Sequence, residues 1–287
     1  MKHNKNIGIL LVVVMGLMLM SGFVMAAECS GQDCSADADV TVDNAAPTIG
    51  TVNAPASITL NGGTTKVVIV NFTATDTNGV GDLNDSTAQV TLSKAGETDR
   101  SSTVACSILS SSGTDTEYSC SITMQFYDGA GSWNVNASVE DNTGVLVYND
   151  SQSSTVNALD YITQDVTSVS WSSVSVGTND AESTAPIVLT NGGNQDYSNV
   201  SIKGYGATGT TYSDTIAANL FSVDDQTGQT TGQTYMSSGV YVQATQLTGL
   251  NTHGAAVTEN IYFYLDVPNV APDTYNSDTT WSILVSA

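Results

Sequence analysis

The chain has 287 residues and carries 28 Asp and Glu against 6 Lys and Arg, for a formal net charge of −22. Such a surface repels polyanions, which excludes nucleic acid as a partner; it suits divalent cations, concentrated salt or neighbouring copies bridged by metal. The acids are mostly Asp diluted among Ser, Thr, Asn and Gly, which fits a solvated extracellular β surface, or a halophile's, better than an acidic helical tail.

The N-terminus reads as an export signal. Lys2 and Lys5 precede an apolar run from Ile7 to Met20, and Ser-Gly-Phe-Val-Met-Ala-Ala-Glu follows. Residues 1–26 are therefore predicted to be a secretory signal peptide cut after Ala26, with Ala27 an equally readable site. The run is also roughly as long as a membrane span needs to be, so an uncleaved N-terminal segment is the one expected route to a membrane. Glu28 before Cys29 argues against lipidation. A short Cys-containing segment, 27–44, follows. An even number of cysteines in an exported chain reads as local disulfides, Cys29 with Cys34 and Cys106 with Cys120. His253 is the only mature histidine, which leaves no set of zinc ligands.

Past the signal, alternation replaces helical periodicity. In the stretch 66–75, Val68, Val70, Phe72 and Ala74 share one face while Asn71 and Thr73 share the other. Strands follow around Ala88 to Leu92, around Val104 to Ile108, around Tyr118 to Met124, across Trp133 to Val139, and around Leu146 to Tyr148. Turn clusters at Asn61–Gly63, 110–116 and 141–144 separate them. Cys106 and Cys120 lie symmetrically about Gly113, so a hairpin turning there sets them opposite one another, with Ile108 facing Tyr118 and Val104 facing Ile122. Short strands at this spacing, with no helices to cover a parallel sheet, indicate an antiparallel sandwich.

A second domain is expected from Leu159, after the polar run 149–157. Its strands read over 166–176, 185–191, 199–206, 239–247, 260–267 and 279–286. Ile187, Leu189, Val200, Ile202, Ile261, Phe263, Leu265, Trp281, Ile283 and Val285 take the inward positions. Tyr262 and Tyr264 are expected on an exposed face, where they suit sugar stacking, cross-strand pairing or a subunit contact. The stretch 224–239, poor in apolar residues, reads as an exposed loop or ribbon. No further apolar span follows Val285, so attachment is expected through the N-terminal segment, glycans or other subunits.

Candidate chemistry centres on Asp76 to Asp85, Asp-Thr-Asn-Gly-Val-Gly-Asp-Leu-Asn-Asp. An EF-hand is ruled out, because Val80 and Thr87 fill its fifth and twelfth ligand positions and no helices flank the loop. This loop joins the second and third strands, and 140–144 joins the last two; in an immunoglobulin-type sandwich those connections share one end. Asp76, Asn78, Asp82 and Asp85 would then approach Asp141 and repel unless a cation such as calcium bridges them. The plainer reading is that Asp, Asn and Gly are simply good turn formers. Sequons at Asn71, Asn84, Asn136, Asn149 and Asn199 are candidate glycosylation sites. Without a Gly-x-Ser-x-Gly elbow, and with His253 read as an exposed loop residue, no catalytic triad is expected.

The sequences 74–93 and 131–150, an Asp- and Gly-rich loop leading a strand and a Trp strand running into Asp-Asn-Thr-Gly, resemble the immunoglobulin-like modules repeated in archaeal and bacterial surface proteins. The resemblance covers roughly residues 45–157. The antibody-type inter-sheet disulfide has no counterpart, since Cys106 and Cys120 are too close in sequence. The second half resembles surface β-sandwich modules only in general pattern, through 187–202 and its final strand. With the strand pattern, the expectation is an all-β chain of two tandem antiparallel Ig-like β-sandwich domains, 45–158 and 159–287. The resemblance implies adhesion, spacing or assembly at an extracellular cell surface, and no enzymatic activity. The expected partners are other surface subunits, further copies of the chain, or glycans. A secreted carbohydrate-binding module or glycan-active enzyme is the alternative expectation.

Overall fold

The computed structural model describes residues 38–255 and 257–287. The predicted signal peptide, most of the segment 27–44, and the expected pair Cys29 and Cys34 lie outside the described residues. The fold is all-β and mostly antiparallel, with two 3₁₀ turns and no α-helix among the described residues.

The first nine strands are β1 (Thr48–Asn53), β2 (Ser57–Ile58), β3 (Lys66–Thr75), β4 (Leu83–Ser93), β5 (Arg100–Ser101), β6 (Ser107–Ser112), β7 (Asp115–Met124), β8 (Gly131–Asp141) and β9 (Leu146–Val156). They form one sheet in the order β1-β3-β7-β6 and another in the order β2-β9-β8-β4-β5. Alternation along β3 and β8 sends Val68, Val70, Phe72, Trp133 and Val135 from the two sheets into one sandwich-like core. Each such side chain, wholly withdrawn from water, stabilises by roughly 1.5–3 kcal/mol before conformational entropy is charged against it. Trp133 keeps its indole N–H satisfied at 2.9 Å from the Gly129 carbonyl.

The β6–β7 hairpin turns at Gly113, whose φ of 66° is the left-handed region glycine tolerates. Ile108 faces Tyr118 as expected, and Cys106 is joined to Cys120. Val104 departs from the expected pairing, because Ser102 is the residue that bridges Ile122; a separate shift of the ladder lies on the turn side, between Ile108 and Ser110. The chain leaves the hairpin at Cys106, whose N–H bonds the Ala88 carbonyl of the other sheet at 2.9 Å, so Val104 sits in a connection, 74% exposed. The polar run 149–157 continues β9 along β8 to Val156, with Ser154 and Val156 buried and Thr155 between them exposed.

The remaining strands are β10 (Ile162–Gln164), β11 (Ala181–Glu182), β12 (Ile187–Asn191), β13 (Asn199–Lys203), β14 (Ala207–Gly209), β15 (Thr215–Ile216), β16 (Phe221–Asp224), β17 (Thr234–Tyr235), β18 (Val242–Gln243), β19 (Val257–Leu265), β20 (Tyr275–Ser277) and β21 (Ser282–Ser286). They build the sheet β10-β12-β19-β16-β17, with β11 also on β19, and two three-stranded sheets, β18-β13-β21 and β15-β14-β20. A second apolar core gathers Ile187, Leu189, Ile202, Phe221, Phe263 and their neighbours.

Three expectations fail in this half. The stretch 166–176 enters no ladder; Trp171 is instead anchored by its indole N–H to the Ala181 carbonyl at 2.8 Å and stacks with Phe221. Tyr264 is 1% exposed rather than outward. β19 is a central strand, and the stretch after β16 folds over its far face, so that the Tyr264 hydroxyl donates to the Gln226 carbonyl. That same stretch is less open than its composition suggests, because Gln233 and Met236 are buried and Thr234–Tyr235 pairs with β16.

A polar junction connects the two cores. Two Asn-Gly-Gly turns, 61–63 and 191–193, meet through a 2.8 Å bond from the Gly63 N–H to the Gly192 carbonyl. Tyr161 lies against both, and a Cβ on Gly62 or Gly192 would collide with its ring. Beside them the buried Asn194 amide donates to the carbonyls of Asp128 and Asn157, each at 3.0 Å, and its oxygen accepts the Leu159 N–H at 2.7 Å.

Candidate functional site

The loop after β3 is held from three sides. Asp76 donates its N–H to the Thr114 carbonyl of the β6–β7 turn at 2.8 Å, and Gly79 donates back to the Asp76 carbonyl. Gly79 has φ 102° and ψ 158°, a conformation essentially reserved for glycine, and it leads into the 3₁₀ turn Val80–Asp82. Asn142 then clamps the turn, with its backbone N–H on the Asp82 carbonyl at 2.7 Å and its amide on the Gly81 carbonyl at 2.9 Å. The β3–β4 and β8–β9 connections therefore do share one end.

Three of the predicted acids meet there. Asp76 is 0% exposed; its Oδ1 accepts the Asn78 N–H at 2.8 Å, while its Oδ2 is buried without a hydrogen-bond partner. Asp141 is the opposite case: Oδ1 accepts from the N–H groups of Thr143 and Val145 and the Thr143 hydroxyl, and Oδ2 from the Asn44 amide. The Val145 N–H leads these donors in lowering the Asp141 pKa to about 2. Asp82 is half-buried, and its pKa is raised, first by loss of solvent and then by the charges of Asp76 and Asp141.

The other two predicted ligands point elsewhere. Asp85 is exposed and accepts the Tyr118 hydroxyl at 2.6 Å, and burial together with this carboxylate pushes the phenol's pKa up. The Asn78 side-chain oxygen accepts the Ala45 N–H at 2.8 Å. Among the described residues no three carboxylate, imidazole or thiol side chains converge as a closed metal cage would require.

The sequon asparagines are all half-buried. The side-chain oxygens of Asn71 and Asn136 lie in the sheets without partners. Asn84 accepts the Ser86 hydroxyl, the Asn149 amide bonds the Gly50 carbonyl at 2.9 Å, and Asn199 bonds Ser198 and Gln243. His253, expected as an exposed loop residue, is half-buried between two acids: Nδ1 is 2.7 Å from Asp196 and Nε2 is 3.6 Å from Glu97. With a carboxylate on each ring nitrogen it is placed as a bridge, not as a base for a serine.

Sequence reasoning missed a second feature, an open cleft in the second core. Two adjoining cavities, of about 560 and 1070 Å³, both touch Gln164 and Ile283. Trp171, Phe221, Phe263 and Trp281 line the larger one. It exists because the stretch 166–176 joins no sheet, which leaves β10 and β21 each as a sheet edge along the opening. Val166, Val169, Trp171, Val174 and Val176 interspersed with Ser gave no sign that the stretch would stay unpaired. The one acid lining the larger cavity, Asp273, accepts from Thr210, Thr211, Tyr212 and Thr274, and these donors hold its carboxyl far below the usual range despite the opposing effect of desolvation.

No family model matches the chain, and no curated protein does. Among solved structures it is matched by a secreted serine protease, VesC, from Vibrio cholerae, at 13% identity and a TM-score of 0.22, over 83% of this chain and 50% of that one. The chain thus spans about half the length of that protein, and so low a score carries no argument about activity. The Cys106–Cys120 disulfide is consistent with an extracellular location.

Proposed function

We propose that the protein is a non-catalytic structural or adhesive component of an extracellular cell surface, built as two tandem Ig-like sandwiches, 45–158 and 159–287. In this reading it assembles with further copies or with other surface subunits by accepting a strand into the cleft of its second half. The observation that carries the reading is the pair of free edges beside exposed apolar surface. Among the described residues β21 is bonded on one side only, to β13, and its Leu284 is 47% exposed; β10 is likewise bonded on one side only, to β12. An edge of this kind is a template for strand addition, with main-chain bonds giving affinity and side-chain recesses giving register.

A glycan-cleaving enzyme fits less well. It needs two carboxylates flanking the scissile bond; Asp273 is the one acid among the residues lining the larger, aromatic cavity, with its oxygens already committed, and Asp160 of the adjoining cavity accepts the Tyr197 hydroxyl.

Light scattering and electron microscopy of the purified secreted protein test the proposal. Ordered oligomers or fibres are expected, and Leu284→Lys, which places a charge on the edge, should dissolve them without lowering the melting temperature. A strict monomer in every condition, combined with retention on polysaccharide columns that Trp281→Ala abolishes, would replace assembly with carbohydrate binding.

A further inference from the structure

The end of the first sandwich holds an electrostatic imbalance that no protein group corrects. Asp76, Asp82 and Asp141 lie on two connections that the bonds from Asn142 to Asp82 and Gly81 hold at one end, and among the described residues Lys94, Arg100 and His253 form their ion pairs elsewhere. Four donors settle Asp141. Asp76 is not settled, because one oxygen of a wholly buried carboxylate lacks any hydrogen bond. A buried carboxylate oxygen without a partner is costly, and such groups are retained where they are paired or bind metal. Among the described residues the Asp82 carboxylate makes no hydrogen bond; it remains partly open to solvent and lies on the turn that Asp76 and Asn142 fix.

We propose that this end binds one calcium ion, with the free oxygen of Asp76 and the carboxylate of Asp82 as its anionic ligands and Asp141 as a fixed negative charge beside it. The hydrogen bonds on Asp141 position it and neutralise it only in part, so it adds field without needing to turn toward the ion. Carbonyl and water oxygens complete the shell, as calcium's preference for six to eight oxygens and its tolerance of irregular geometry allow. Magnesium, which demands a near-octahedral set and gives up water reluctantly, is the poorer fit. With two carboxylate ligands and one side open, affinity belongs in the weak extracellular range, on the order of 10⁻⁴–10⁻³ M. The assignment rests on the loop geometry and stands whether or not the second half assembles.

The test is a set of thermal melts of the full secreted protein in chelator, in about 10 mM calcium, in equal magnesium, and in sodium chloride of matched ionic strength. The expected result is a calcium-specific rise of about 4 °C or more, with titration calorimetry giving one site per chain. Asp82→Asn should raise the calcium-free melting temperature by removing repulsion, and should abolish the calcium-specific rise. Asp76→Asn, which keeps Oδ1 for the Asn78 N–H, should abolish it as well. Asp85→Asn, an acid of the same loop committed to Tyr118, should leave it intact. The proposal is overturned if calcium does no more than sodium chloride or magnesium, or if the rise survives in both Asp76→Asn and Asp82→Asn.

Discussion

Arg100 is one of four Lys and Arg residues beyond the predicted signal peptide, and its removal should be felt well beyond its own edge strand. Its Nε is 3.0 Å from both oxygens of Asp128, and Nη2 is 2.5 Å from Oδ1. The Asp128 side chain is fully buried, the Arg100 side chain 16% exposed. Arg100→Met preserves the apolar stem but leaves that carboxylate without a counter-ion. Breaking one side of a buried pair costs about 3–5 kcal/mol. The lower end applies here, because Gln125 still donates its N–H to Oδ2 at 2.8 Å and water reaches the Arg100 side. About 3 kcal/mol, at roughly 2–4 °C per kcal/mol for a body of this size, gives a fall of about 6–12 °C in melting temperature by scanning calorimetry. The pair Arg100→Met with Asp128→Asn should regain more than half of that loss, since the orphaned charge rather than the missing attraction is the main cost. A single variant within about 2 °C of the parent, or a double variant less stable than the single, would refute the reasoning.

Asn194→Ala should cost about 3 kcal/mol by orphaning the Asp128 and Asn157 carbonyls and the Leu159 N–H, and calorimetry should then resolve two transitions where the parent shows one. Replacing Cys106 and Cys120 together by Ala should lower stability by about 3 kcal/mol, the chain-entropy value for a loop of about 15 residues, as read from urea melts. Asp141 has a folded pKa of about 2 against the ordinary 3.8. Its contribution is therefore complete above the ordinary value and disappears as pH falls toward 2. Asp141→Asn should be less stable at neutral pH and show a shallower acid transition. Glu259 has the opposite sign: burial raises its pKa, so the cost of keeping it ionised grows as pH rises through the raised value. Glu259→Gln should flatten stability across that part of the titration.

The first half was legible because each strand has one wet and one dry face. β3 and β8 follow the Val, Phe and Trp alternation residue for residue, and the symmetry of Cys106 and Cys120 about Gly113 located the hairpin. The path of the chain before Cys106 was not legible, since Cys106 bonds across to Ala88 of the other sheet and Ser102, not Val104, pairs with Ile122. Of the candidate cation residues, Asp76, Asp82 and Asp141 came together because two connections share one end, a fact of topology. Asp85 was lost to Tyr118, a partner 33 positions away that no local pattern reveals. In the second half, alternation misled twice. The Val- and Trp-dotted serine stretch 166–176 finds no edge to join, and Tyr264 follows strand phase but is covered by the stretch after β16. Period two identifies faces; it does not say what else will settle on them.

Tyr161 wedged between paired Asn-Gly-Gly turns, with the Asn194 network beside it, ties the two cores at several points rather than through a single swivel. Pulling on one end would therefore deliver tension to the other with little give, and the protein would transmit mechanical load as a stiff strut rather than absorb it as a tether.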